Sequence, residues 1–526
     1  MKKVVASVFL ALLITGAGNI AYGISDAPKN KEKDFYLGVY MYSYYLAKVA
    51  EENNKDFISF FSEHLKILNS HGINAIFLAV GSDKSFDEIL ECCKKYDIML
   101  IPQLDFVYFR DKWTEEEMDK NAKRAGEFIR KYANHPQILS WSVKEEVSQE
   151  HINSLSRYYM KILQYAPDAK FNLVNSSLGA AKDQPVPDPV ISGTDRYAFW
   201  WEFSGDGYCA SPYFSLDWVR KQTAEFYPES AKRGADFMLV VTQGGVMIPR
   251  AANVYGNGEF DKIDISSLDA KKKILYRVKV FAEQGRMGWK KFDSPEGARY
   301  NAWKYYRLPD NCMKALAWAG VMEGARLFFC WSYTPASKEN AEITFKNAAF
   351  MKDKGECSFI TLAGRPGISN PQLEEFAEAG REIKKFSKII TTMSKKPDSP
   401  VITDNQARIF NRAFHIPAIP GTIIVIHNGN TGKWPANSRY FLQDNDDIRI
   451  DDEGNMVGYI PFKDPMKVSF SVSDKGETGN VYDLASGQVI NPDNGKYTIE
   501  ILPGSGSLIY IGTKENAQRI SALVKK

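Results

Sequence analysis

The sequence predicts an α/β protein: a TIM-type (β/α)8 barrel of parallel strands with helices outside, followed by an all-β sandwich. Three observations carry this prediction. From about Asp34 onward, strand-like and helix-like segments alternate with a regular beat, and such a series builds a parallel sheet. Eight strand-like runs precede residue 394, the number that closes a barrel. Beyond the polar, Pro-containing stretch 394–400 the alternation stops, and short β-like runs separated by turn residues take over, as in an antiparallel sandwich.

Taken in order, the chain opens with Lys2 and Lys3, an apolar run over 4–17, and the small-residue stretch Ala21-Tyr22-Gly23. Residues 1–23 therefore read as a Sec-type signal peptide, too short in its apolar run to be a membrane anchor. The mature chain is expected in the periplasm or outside the cell, with no membrane insertion once the signal is removed. A first strand is expected over 35–45, a helix over 57–70 ending at Gly72, and a second strand over 73–80. A helix over 86–96 leads to strand 98–106, and a helix over 115–133 leads to the fourth strand at 138–143. Runs at 170–176, 189–197, 237–243 and 327–333 supply strands five to eight, and a helical stretch over 371–393 ends the barrel domain, 34–394. The sandwich domain, 400–515, is marked by β-like runs at 422–427, 468–472, 479–483, 496–501 and 507–511.

An open doubly wound sheet is the alternative to a barrel. No GxGxxG follows the first strand and no GxxxxGK[ST] occurs, so the nucleotide-binding version of that sheet lacks its main sequence support. The segment 246–309 between strands seven and eight is longer than an ordinary connection, and long loops at a barrel mouth shape a substrate cleft.

Composition narrows the function. A net charge of only +3, most of it carried by the leader lysines, leaves no electrostatic footprint for nucleic acid or an anionic membrane. Aromatic residues make up 13% of the chain, and Trp and Tyr rings suit the apolar faces of sugars as well as ordinary cores. The six cysteines include adjacent Cys92 and Cys93, whose side chains diverge on a helix and are expected as buried thiols. Cys209, Cys312, Cys330 and Cys357 could pair, with no connectivity favoured. No CxxC or HExxH spacing occurs, so no metal and no cofactor are expected.

The chemistry is expected around the stretch from His135-Pro136 to Val147. A helical run ends at His135-Pro136, a short apolar strand follows, and Glu145 and Glu146 stand where it stops. That is the end of a barrel strand where catalytic groups sit, although carboxylates also favour the first turn of a following helix.

These residues resemble the fourth strand of the glycoside-hydrolase-like (β/α)8 barrels of the large retaining clan. Its pattern there is HP, a hydrophobic residue, then W-x-h-x-D/N-E-P. Trp141, Val143, Glu145 and Glu146 fall on those positions, with Glu145 replacing Asp or Asn and Val147 replacing Pro. Residues 65–75, with Gly72-Ile73-Asn74, resemble the clan's helix-turn-strand. Residues 190–197, with Asp195 and Tyr197, resemble its sixth strand, and 323–333, with Trp331-Ser332-Tyr333, its eighth. The resemblance implies an exported glycoside hydrolase that cleaves O-glycosidic bonds of an oligo- or polysaccharide, with Glu146 as acid/base and a carbohydrate as the partner.

The clan also implies a nucleophilic Glu at the end of strand seven, where this chain carries Gln243. Either the nucleophile comes from another loop, or the strand count is off, or the chain is a catalytically inactive glycan-binding barrel. Glu202, within Trp200-Trp201-Glu202, and Asp195 are the candidates for a second catalytic carboxylate, with Asp105 at the end of strand three behind them. Glu145, Asp105, Tyr197, Trp200, Trp201, Gln243, Trp331 and Tyr333 are the expected substrate-binding positions. Glu145 is expected to point away from Glu146 if the strand simply continues. A lyase or esterase is a weaker reading, since no GxSxG occurs.

Overall fold

A strand covered on both faces must be apolar at every position, and β2 (Ala75–Val80) is buried along its whole length. It pairs in parallel with β1 (Tyr36–Tyr42) on one side and β3 (Met99–Leu104) on the other. The computed structural model describes residues 34–147, 149–174, 189–195, 212–242, 244–247, 304–333, 371–404, 408–433, 459–473 and 479–524, with short pieces at 182, 335, 362–363, 406, 449–450 and 456–457. The expected signal peptide lies outside these residues.

The fourth strand, β4 (138–142), joins β3 through Leu139 N–H to the Leu100 carbonyl (2.9 Å) and Ser142 N–H to the Pro102 carbonyl (3.0 Å). Its other edge bonds Trp141 N–H to the Lys170 carbonyl (2.7 Å) and receives Asn172 N–H at the Trp141 carbonyl (3.1 Å). There it meets β5 (Asn172–Val174), which pairs with β6 (Ile191–Asp195), then β7 (Asp236–Thr242), then β8 (Leu327–Trp331). Strand β8 pairs back to β1. The ring is closed: eight parallel strands form a barrel, and 236–242 is its seventh strand.

Strand β4 is irregular for a visible reason. A regular ladder advances two residues on each strand, but Leu139 and Ser142 bond to Leu100 and Pro102, so β4 carries one extra residue. This is a β-bulge, which re-aims the side chains beyond it. Leu139 packs with the barrel interior, whereas Trp141 and Val143 both join the layer between barrel and helices. Trp141 is anchored there against Phe86 and Phe128.

The barrel interior is filled by Tyr40, Phe77, Met99, Ile101, Val174, Met238, Val240 and Phe329, among others. The outer layer belongs to α1 (Ser43–Glu52), α2 (Phe57–Ser70), α3 (Phe86–Lys95), α4 (Glu115–Tyr132), α5 (Ile152–Tyr165), α6 (Pro212–Lys232), α7 (Cys312–Met322), α8 (Pro371–Lys384) and α9 (Ser387–Thr392). Their starts are chemically fixed where the sequence offers caps. Asp56 accepts the Ser59 N–H at the head of α2 (2.9 Å), and Thr114 with Glu117 forms a capping box on α4. The first strand stops at Tyr42, short of the expected 45, because α1 begins at Ser43. Cys92, Cys93 and Cys312 are buried thiols, which removes Cys312 from any disulfide. Among the described residues, no helix is long and apolar enough to cross a membrane.

Among the described residues, no strand after Met393 joins the barrel. Strands β9 (Ser394–Lys395), β11 (Ile409–Ile416), β12 (Ile419–Asn428), β14 (Asn480–Asp483), β15 (Val489–Ile490) and β17 (Gly506–Gly512) form one antiparallel sheet, in the order β9-β11-β12-β17-β14-β15. Strands β10 (Val401–Thr403), β13 (Met466–Val472) and β16 (Tyr497–Ile501) form a second. Val468, Phe470 and Ile501 from the small sheet meet Ile424, Ile426 and Ile509 from the large one in a shared core, a two-sheet sandwich. The other face of the large sheet, with Phe414, Ile423, Val425 and Leu508, packs into the barrel's outer layer.

Candidate active site

Beyond the bulge the chain leaves β4 and turns sharply. Glu146 adopts the left-handed region with φ 49°, a conformation that costs a non-Gly residue on the order of 1–3 kcal/mol and collects at functional sites. Its N–H is bonded to the Val174 carbonyl at the top of β5 (3.1 Å). The turn overrides strand alternation, so both glutamates reach the barrel mouth. The strand does not continue, so the condition under which Glu145 would point away from Glu146 does not hold.

Glu145 is enclosed by tyrosines. Tyr40, inward-facing on β1, donates its hydroxyl hydrogen to Glu145 Oε1 (2.7 Å), and its ring is stacked on Phe77 at 4.2 Å. The Glu145 N–H donates to the Tyr108 hydroxyl (3.1 Å), and the Lys144 ammonium lies over the Tyr108 ring. Burial pushes the Glu145 carboxyl up to about 8, against the opposing effect of the Tyr40 hydrogen bond and with help from the charges of Asp195 and Asp105.

Glu146 is exposed at the mouth, with Asp195, the last residue of β6, as its neighbour. The Asp195 side chain, followed by desolvation and the negative charges of Asp195 and Glu145, raises the Glu146 pKa far above the carboxylate range. Asp105 begins a 3-10 turn directly after β3. Its Oδ1 accepts from Gln103 Nε2 (2.7 Å), while burial raises its pKa.

Trp331 ends β8 beside the interior cluster, and its indole N–H donates to the Tyr42 hydroxyl (2.6 Å). The Trp331–Ser332 peptide is cis. Tyr333 lies elsewhere. It is buried in the outer layer, where its hydroxyl meets His64 Nδ1 of α2 (2.8 Å), so its expected contact with substrate is corrected: the chain has turned outward past Trp331, and the phenol is satisfied by a helix. Tyr197, Trp200, Trp201, Glu202 and Gln243 lie outside the described residues.

The structure thus brings Glu145, Glu146, Asp105 and Asp195 to one mouth from the ends of three different strands. Sequence reasoning missed Tyr40, Tyr42 and Tyr108. The first two were signalled by parity: in Tyr36, Gly38, Tyr40 and Tyr42, every second residue of β1 shares one face. Tyr108 carried no such signal, because it sits in an irregular loop. Among the described residues, no group of His, Cys, Asp and Glu is placed to hold a metal ion.

No protein-family model and no curated protein matches the sequence. Solved structures do. AmyP in complex with maltose is 10% identical, covering 91% of this chain and 96% of its own, with a TM-score of 0.43. The α-amylase of Geobacillus thermoleovorans complexed with acarbose is 6% identical over 92% and 99%, at 0.44. A glycoside hydrolase family 5 mannosidase from Rhizomucor miehei is 10% identical over 68% and 95%, at 0.38. The chain is similar in outline to these glycoside hydrolases. Its own barrel is established by the hydrogen-bonded ring of strands described above.

Proposed function

We propose that this protein is an exported glycoside hydrolase that cleaves O-glycosidic bonds of an oligo- or polysaccharide, with Glu146 as general acid and Asp195 as the second carboxylate. The observation that carries the reading is the meeting of Glu146 and Asp195 at the mouth of the barrel, where the turn after β4 is bonded to the top of β5 and Asp195 ends the neighbouring β6. Hydrolysis at neutral pH needs one carboxylic acid that keeps its proton and one carboxylate that has lost it, and Glu146, its pKa raised, suits the first role. The Glu146 proton passes to the leaving glycosidic oxygen as the C–O bond breaks. Asp195 forms an ester with the anomeric carbon, and water activated by Glu146 then releases the sugar.

Asp195 acting as nucleophile, rather than as a base on water, belongs to the retaining pathway, in which the carboxyls stand about 5–5.5 Å apart. Retention of anomeric configuration is therefore expected, and NMR of the first product anomer checks it; net inversion would remove Asp195 as nucleophile.

The activity is tested by reducing-sugar release over a broad glycan panel. Glu146→Gln should lower turnover by about 10²–10⁴-fold on a substrate with a poor leaving group, with an unchanged circular dichroism spectrum. Gln243, directly after strand seven, favours a second reading, a glycan-binding barrel without turnover. Tight glycan binding by the wild type with no product on any panel member would select that reading.

A further inference from the structure

At the top of β1 three tyrosines and a tryptophan form one continuous aromatic surface beside the carboxylates. Tyr42 receives the Trp331 indole N–H and meets both Tyr44 and Tyr45 at 5.7 Å between ring centroids. The Tyr44 and Tyr45 ring centroids lie 4.3 Å apart. The helix α1 begins at Ser43, so these two rings sit on a rigid first turn rather than on a loop. Tyr44 is nevertheless 47% exposed.

Single exposed aromatics are ordinary, but this one is the outer end of a chain of rings leading inward through Tyr42 and Trp331. Strand β1 carries that chain to the acids, since Tyr40, one inward position below Tyr42, holds Glu145. Asp105 completes the surroundings: its charge acts on both Tyr42 and Tyr44, and its carboxylate's only hydrogen bond among the described residues leaves Oδ2 uncommitted. A pyranose presents an apolar face for an aromatic ring and equatorial hydroxyls for a carboxylate. The Tyr44–Tyr45 pair and Asp105 offer these two complements side by side.

We propose that Tyr44 and Tyr45, with Asp105 beside them, form a sugar-stacking subsite adjoining the Glu146–Asp195 pair, and that its ligand is a neutral oligosaccharide of at least two units. The inference rests on the glycosidase reading and deepens it. Uronic acid units are disfavoured because Asp105 adds negative charge beside these rings, with Lys144 held on the Tyr108 ring.

Binding is measured by calorimetry on the Glu146→Gln chain, which keeps ligand from being consumed. The probes are cello-, manno-, xylo- and malto-oligosaccharides of one to six units, together with trigalacturonate. Adding Tyr44→Ala should weaken binding of the preferred trimer about tenfold and leave the monosaccharide unaffected. Tyr44→Phe should retain the trimer affinity, and Tyr44→Leu, which preserves bulk without an aromatic face, should lose it. Asp105→Asn should also weaken the trimer. Equal trimer affinity in Tyr44→Ala, Tyr44→Leu and the parent overturns the subsite while leaving the glycosidase reading intact. Tighter binding of trigalacturonate than of every neutral trimer overturns the ligand class. Failure of the wild type to bind or cleave any probe overturns both readings together.

Discussion

Glu145 makes the stability of the fold depend on pH. Its carboxyl has an ordinary value of 4.5 when exposed and about 8 in the folded chain, so between these values the folded state holds a proton that the unfolded state has lost. Stability is then greatest below about pH 4.5 and falls as the pH rises toward 8, by on the order of a few kcal/mol at most. Glu375, buried while accepting the N–H groups of Met313 and Lys314, is also raised to about 8 and adds a second contribution of the same sign. Chemical denaturation at pH 5.5 and pH 8.5 should show the decline, and Glu145→Gln should reduce it. A variant with the full wild-type slope would mean that Glu145 is solvated and ionises normally. Glu146, raised by Asp195 and desolvation, adds a contribution of the same sign and bears on the rate as well. The activity should fall on the alkaline side as the Glu146 proton is lost, and Asp195→Asn should move the alkaline limb to lower pH.

Elements decide where these residues stand. The extra residue in β4 sends Trp141 outward to Phe86 and Phe128, and the turn at Glu146 then brings consecutive glutamates into one mouth. On β6 the control lies in Gly193, two residues before Asp195. A Cβ there would stand 2.6 Å from the Met238 carbonyl oxygen on β7, and backbone cannot swing aside as a flexible side chain can. Gly193→Ala should therefore cost about 1–3 kcal/mol in stability and lower activity by displacing Asp195. Thermal unfolding and turnover measured together check this, since normal stability with normal turnover would show that the β6–β7 spacing adapts freely.

At the scale of the molecule, barrel and sandwich are joined by a buried charge as well as by apolar packing. Glu323, 1% exposed at the end of α7, accepts from Lys395 of β9 (2.5 Å) and Arg412 of β11 (3.3 Å) and lies 3.6 Å from Arg220 of α6. The Arg220 guanidinium is stacked on Phe410 of β11 at 3.7 Å. Removing one partner of a buried ion network leaves the others desolvated and costs about 3–5 kcal/mol. Glu323→Gln should lower stability by that order, and calorimetry of the wild type should show barrel and sandwich melting in one transition. Two separated transitions, with only the later segment affected by Glu323→Gln, would show that the junction does not couple them.

The sequence by itself determined the eight-strand barrel, because buried parallel strands must be apolar and their spacing by amphipathic helices leaves a periodic trace. Helix 57–70 and the order of all eight strands were legible for that reason, and so was Glu146 as a residue at a strand end. What only the tertiary structure decided is which groups meet. Asp195 lies beside Glu146 because β5 places β6 within reach of the turn after β4, a long-range consequence of closure that no local pattern encodes. Glu145 shares the site because one extra residue and one positive φ cancel the alternation by which its direction was read. Tyr333, two residues beyond Trp331, is drawn away to His64 because the chain leaves the barrel between them. Strand identity follows from local hydrophobic periodicity, but the pairing of carboxyls depends on register, bulges and turns, which sum over the whole ring.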